Sequence, residues 1–269
     1  MAGIAALLRI RLPSFSLKIP ESFQITSSYP LPSPSSLVGA LAYSIAVHNG
    51  LSNESALKYT RAIVLAARAS IPKAQIYTIN PILLWRFRVL DRGTERPKRK
   101  QERLTLLQQL SELTSKESYL EGKLLLEQRL KDALYREYIF AQELNVVYLL
   151  KREIDEEVFH LISRLGDTES LCSVDSVKIY DYEILPADNV ITRYPFTRNE
   201  NILRIEGKFT VMKQCDENRE MRFFIIPITR KIAQTRRGMK FMTLHTSEVK
   251  VTFKEHVNVA KIDDMYVII

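Results

Sequence analysis

The spacing of apolar positions divides the chain into segments of two kinds. Ile4, Ala6, Leu8, Ile10 and Leu12 alternate with Ala5, Leu7, Arg9 and Arg11. A period of two predicts a strand over 4–12, with one buried face and two arginines on the other. A loop rich in proline and serine follows, with Pro13, Pro20, Pro30, Pro32 and Pro34. Ser35 or Ser36 then caps a helix over 36–48. Its positions Leu37, Leu41 and Ile45, and Val38 with Ala42, recur at helical spacing. Gly39 and Ala40 are small, so a close neighbour fits there, and a helix start after a polar loop offers free N–H groups to a phosphate.

Further on, Ala56 to Tyr59 reads as a short helix. Ile63, Leu65, Ala67 and Ala69 predict a second strand, 61–70, with Arg68 on its other face. Residues 101–134 hold no proline and one glycine, and their leucines form a helical stripe. They predict a helical hairpin or one long helix, broken near Ser115 to Ser118. Leu144 to Leu150 is continuously apolar, as a central strand is. Asp155, Glu156 and Glu157 open a helix over 154–165, which Gly166 ends. A fourth strand covers 172–185. The order β-α-β-β-α-β is ferredoxin-like, the arrangement of RNA-recognition domains. From 188 onwards the alternation is that of strands throughout, with Gly238 in a hairpin loop after Arg236 and Arg237. The expectation is an α+β chain: a ferredoxin-like domain over 1–187, carrying an insertion at about 72–143, and a smaller antiparallel sheet domain over 188–269.

Composition narrows the chemistry. The chain has 269 residues, 8 of them glycine, and contains neither GxGxxG nor GxxxxGK. Nucleotide-dependent enzymes of those types are excluded, because their phosphate loops need a backbone free of Cβ. Two cysteines, Cys172 and Cys215, and four histidines show no metal-ligand spacing, so neither a metal nor a cofactor is expected. The longest mostly apolar run, Leu37 to Val47, is far short of the ~20 residues of a membrane span. Ile4 to Leu8 is too short for a signal-peptide core, and its arginines follow it. An intracellular, cytoplasmic protein with no membrane partner is expected.

Charge is more informative than its total of +8. Residues 84–103 carry Arg86, Arg88, Arg92, Arg96, Lys98, Arg99, Lys100 and Arg103 against three acids, a net of +5. Residues 228–240 carry Arg230, Lys231, Arg236, Arg237 and Lys240 with no acid, another +5, and residues 1–20 carry Arg9, Arg11 and Lys18 for +3. The remaining residues sum to −5. Concentrated basic segments on an acidic body are the pattern of a polyanion binder. Phe15, Phe23, Tyr29 and Tyr77 lie in or beside loops where a splayed base could stack, although an aromatic side chain more commonly belongs to the core.

Two stretches carry a family signature: SYPLPSPSSLVGALAYSIA from Ser28 to Ala46, and RLGDTESLCSV from Arg164 to Val174. Both resemble the Cas-five family of CRISPR-associated proteins in the RAMP superfamily, and most of all its archaeal type I-A branch. The resemblance implies a subunit of the Cascade surveillance complex that grips the 5′ handle of the CRISPR RNA and caps the backbone. Its partners would be backbone RAMP subunits, the large subunit and target DNA. It also implies that the loop from Gln24 through Ser33 to Ser35 touches handle nucleotides, and that Arg86 to Lys100 belong to a thumb lying against the guide. Lys18, Arg230, Lys231, Arg236, Arg237 and Lys240 are candidates from charge alone.

A minority branch of that family cleaves precursor CRISPR RNA without metal, which needs a general base and a general acid. Here His48 ends an apolar helix, His160 lies on a polar helix face, and His245 and His256 lie in the strand-rich half; no two are close in sequence. A non-catalytic RNA-binding subunit is therefore the expectation. A processing endoribonuclease, a generic RNA binder and a protein-only scaffold are the alternatives.

Overall fold

A computed structural model describes residues 2–22, 25–73, 75–87, 106–166, 170–238 and 240–269. The chain forms two compact units. One comprises 1–22, 27–80 and 137–269, and the other 23–26 and 81–136.

The first unit is built on a seven-stranded antiparallel sheet. Its first strand, β1 (Ala2–Arg11), pairs with β7 (Glu143–Leu150) on one side and β8 (Ser173–Thr192) on the other. Strand β4 (Val64–Ser70) pairs with β7, and β15 (Val249–Ile262) with β8. β10 (Ile202–Glu206) lies outside β15, and β16 (Met265–Ile268) also pairs with β15. The order of the four strands expected from the sequence is thus β8-β1-β7-β4, all antiparallel. The boundary expected at 187/188 falls inside β8.

Alternation along β1 and β7 buries Leu8, Ile10, Leu12, Leu144, Val146 and Tyr148 in the main core. The expected single buried face of β1 needs correction. Ala5, Val147 and Leu149 are buried in a second cluster, with Tyr182, Ala260, Ile262 and Val267. Among the described side chains of β1, only Arg9 and Arg11 are exposed.

Helix α1 (Pro34–Asn49) covers the first core with Leu37, Val38, Leu41 and Ile45. It begins two or three residues earlier than the hydroxyl pattern predicts. Ser33 is the N-cap, its Oγ accepting from the Ser36 amide, and Pro34 takes the first helical position, where a missing N–H costs nothing. Gly50 closes the helix with φ 62. The buried Tyr148 hydroxyl donates to the Leu37 carbonyl at 3.0 Å and fixes α1 on β7. Helix α2 (Asn53–Ile63) leads into β4.

The helix expected over 154–165 is one turn, α5 (Glu157–His160). The following backbone is taken by a different ladder: Leu165 N–H donates to the Ser170 carbonyl and Cys172 N–H to the Ser163 carbonyl. Those bonds use the groups a longer helix would need. Gly166, with φ 98, lies beyond them rather than at a helix end.

Smaller strands complete this unit. β2 (Ser14–Phe15) pairs with the end of β6 (Lys131–Phe140). β9 (Phe196–Thr197), β12 (Met221–Ile226) and β11 (Thr210–Cys215) form a three-stranded sheet. β13 (Ile228–Gln234) and β14 (Lys240–Thr246) form the expected hairpin, and β14 pairs with β5 (Ile76–Phe87). The second unit contains helices α3 (Leu106–Ser115) and α4 (Tyr119–Leu130), separated where the sequence places a break. In it, β3 (Ile25–Thr26) pairs in parallel with β6.

Candidate nucleic-acid interface

The two motif stretches, more than a hundred positions apart, meet in space. Ser36, Gly39, Ala40 and Tyr43 of α1 face Ser163, Arg164 and Gly166 across a groove of about 350 Å³. Gly39 leaves the groove open, with nothing within 4 Å of where its Cβ would be. Tyr43 presents an exposed ring, and the Arg164 side chain is exposed with no ion-pair partner among the described residues. Hydroxyls, a guanidinium and an aromatic plane around an open wall are what a nucleotide requires. The sequence marks these residues as a signature, but it does not single out Ser36, Tyr43 or Arg164 as contacts. Their signal is confinement to the two motifs.

The loop leading to α1 is held by its own hydrogen bonds. Ile19 N–H donates to Ser27 O and Tyr29 N–H to Leu17 O, so Lys18 opposes Ser28 with its side chain exposed. Ser33 is buried and occupied with capping, and its hydroxyl lies 3.1 Å from that of Ser35. Gln24 lies outside the described residues.

The expected stackers are core residues where they are described. Phe15 and Tyr77 are buried edge to face, their centroids 6.4 Å apart. Tyr29 is buried and donates to the Lys213 carbonyl at 2.7 Å. Burial pushes its hydroxyl up to about 12, and Glu21 and Cys215 push it the same way. Phe23 lies outside the described residues.

The basic clusters differ in how free they are. Arg9 donates from Nε to Glu143 at 2.7 Å, and Arg11 to Asp175 at 2.9 Å. The hydrogen bond from Arg9 is the main cause holding Glu143 below the usual carboxylate range. Two of the three cations in the first cluster are thus neutralised across strands. In the second cluster, Arg86 lies in β5, while Arg88, Arg92, Arg96, Lys98, Arg99 and Lys100 lie outside the described residues. The third is a basic ribbon: Arg230 and Lys231 in β13, Arg236 and Arg237 in the turn, and Lys240 opening β14 are all exposed. Gly238 N–H closes the turn on Thr235 O, with Gly238 at φ 83.

A larger cleft, about 1010 Å³, is of another kind. Exposed Leu203, Phe209, Val211 and Phe223 line it, and two of its arginines are tied to acids, Arg204 to Glu206 and Arg222 to Asp216 and Glu220. Each histidine has its own neighbour. His48 faces Asp155 and Glu157, His160 faces Glu156, His256 faces Asp188, and His245 lies 3.0 Å from the Thr243 hydroxyl.

No protein-family model matches the chain. It is 28% identical over 235 residues to the CRISPR-associated protein Cas5 of Thermoproteus tenax, covering 86% of this chain and 88% of that protein. It is 29% identical over 187 residues to the CRISPR-associated protein Cas5 of Methanocaldococcus jannaschii, covering 65% and 62%. The crystal structure of a CRISPR protein from Archaeoglobus fulgidus shares its fold, with a TM-score of 0.53 at 16% identity over 98% of both chains. The resemblance read from the two motif stretches is therefore borne out: over most of its length the chain is similar to CRISPR-associated Cas5 proteins.

Proposed function

We propose that this chain is a non-catalytic subunit of a CRISPR effector complex of the Cascade type, and that it holds the 5′ handle of the CRISPR RNA. The observation that carries this reading is the meeting of the two motif stretches at one open groove bearing Arg164, Tyr43 and Ser36. The basic ribbon of β13 and β14 supplies exposed cations for the phosphate backbone. The strand order β8-β1-β7-β4 supports a ferredoxin-like unit of the RAMP type. Assignment to an archaeal type I-A complex, to backbone and large-subunit partners, to target DNA and to the cytoplasm follows from the same reading. The dispersal of the histidines among separate neighbours favours binding over cleavage.

The test is binding of the purified protein to 5′-labelled CRISPR RNA with its handle intact or scrambled, in EDTA, with the RNA then run on a gel. Preference for the intact handle, with the RNA uncut, is expected. Handle-dependent cleavage would make the protein a processing nuclease, and equal binding to both RNAs would overturn handle recognition.

A further inference from the structure

We propose that His48, Asp155 and Glu157 form a binding site for one divalent transition-metal ion of the zinc class. His48 lies in the last turn of α1, while Asp155 and Glu157 straddle the start of α5. The fold brings them together from more than a hundred positions apart. The imidazole Nε2 lies 3.7 Å from Asp155 Oδ2 and 3.8 Å from Glu157 Oε2, and the three ligand atoms lie within 4.8 Å of one another.

These separations exceed a hydrogen bond. Two ligands tetrahedrally placed about 2.1 Å from zinc are ~3.4 Å apart, so the imidazole reaches that spacing to each carboxylate with a closure of a few tenths of an ångström. The side chains are 27%, 56% and 83% exposed and free to make that movement.

The orientation of the imidazole is a separate indication. Its Nδ1 lies 2.9 Å from Asn49 Oδ1. An amide oxygen only accepts, so Nδ1 donates to it and Nε2 is the ring nitrogen that faces the two carboxylates. Asp155 is oriented in the same way, its Oδ1 accepting the Glu157 N–H at 3.1 Å and leaving Oδ2 for the ion. Outer hydrogen bonds of this kind characterise metal-ligating histidines and carboxylates. One imidazole and two carboxylates with an open position suit zinc or manganese better than magnesium, which prefers oxygen donors alone. Sequence spacing does not reveal the site, because its ligands come from separate elements. The ion would clip the end of α1 to the segment that runs on into Ser163–Gly166, the two walls of the groove.

The experiment is calorimetric titration of the full chain, free of chelator, with ZnCl2, MnCl2 or MgCl2. One zinc per chain is expected, without competition by magnesium. His48→Ala removes the binding, and Asp155→Asn and Glu157→Gln each weaken it roughly tenfold or more. His256→Ala, which alters the separate pair with Asp188, leaves it unchanged. All four residues are exposed enough for the variants to fold, and metal-free melting curves check this. Absence of saturable zinc binding would overturn the proposal. So would stoichiometric binding that survives His48→Ala.

Discussion

The Arg68 guanidinium and the Glu217 carboxylate form a buried ion pair that seats the β11–β12 hairpin on strand β4. Glu217 also accepts the Ala67 N–H at 3.0 Å, and Arg68 lies over the Phe224 ring at 5.5 Å. The Arg68 side chain is only 5% exposed. Removing its partner leaves a charge that water cannot reach, so Glu217→Ala is expected to cost about 3–5 kcal/mol. Replacing both residues by Met and Leu should recover most of that loss, because the desolvation penalty disappears with the charges. Denaturant unfolding of the single and double variants checks this. A loss below about 1 kcal/mol for Glu217→Ala would show that the pair does not hold the hairpin.

Charge that is concentrated in sequence is not all available in space. Arg9 is tied to Glu143, whereas Arg236 and Arg237 stand at the exposed turn of the ribbon. Replacing both turn arginines by Ala should weaken RNA binding and flatten the dependence of log K on log salt. Each phosphate of single-stranded RNA that is no longer neutralised removes about 0.7 from the slope, so the expected change is about 1.4. The paired change Arg9→Ala with Glu143→Ala should leave the slope where it was. A filter-binding salt series distinguishes the two. An unchanged slope in the turn variant would remove the ribbon from the interface.

Two glycines of the groove should respond in opposite ways. Gly39 lies in an exposed part of α1 with open space at its Cβ position, so Gly39→Ala should stabilise the protein by up to about 1 kcal/mol. Gly39→Trp should fold and yet block the groove, lowering handle affinity without changing affinity for scrambled RNA. Gly166 has φ 98, and a Cβ there would lie 1.9 Å from Leu17 Cδ2. Gly166→Ala should therefore cost about 1–3 kcal/mol through backbone strain. Thermal melts and RNA titrations separate the two effects. Trp at Gly39 with unaltered handle preference would move the nucleotide site elsewhere.

What could be read in the chain was whatever has a local period. The strands expected at 4–12, 61–70 and 144–150, and the break between the two helices near Ser115, needed only alternation and breakers, although 61–63 belong to the end of α2 and the strand starts at Val64. Long-range pairing was hidden. Arg68 reads as a residue on an open strand face, and its partner lies 149 positions away. The helix expected over 154–165 has the right apolar spacing, but the pairing of Ser163–Leu165 with Ser170–Cys172 claims its backbone. The basic ribbon was legible as charge with a turn glycine. The groove was legible only as two separate motifs, and the approach of His48 to the acids of α5 was not legible at all.

The ribbon also contains a pH-dependent element. His245 Nε2 lies 3.0 Å from Thr243 Oγ1, and the Thr243 hydroxyl donates to the Lys231 carbonyl at 3.1 Å. That hydroxyl has spent its proton, so it accepts from His245, and Nε2 carries the hydrogen of a neutral ring. Burial first, and the Lys231 ammonium second, hold His245 below its ordinary range. The sign of the linkage follows. Above about pH 6.5 both folded and unfolded states carry a neutral imidazole, and the site contributes no pH dependence. As pH falls through that value the unfolded chain takes up the proton first, so stability declines until the folded-state pKa is reached. Glu143, held down by Arg9, loses its contribution only at lower pH, below the unfolded carboxylate value near ~4. Lys231→Met should raise the pKa of His245 while leaving it below the usual range, since burial persists. It should also reduce the loss of stability between about pH 7 and about pH 5.5. Proton NMR titration of the imidazole, with denaturant melts of both proteins at the two pH values, checks both effects. A His245 pKa that does not move on removing Lys231 would leave burial as the whole cause and the ammonium uninvolved.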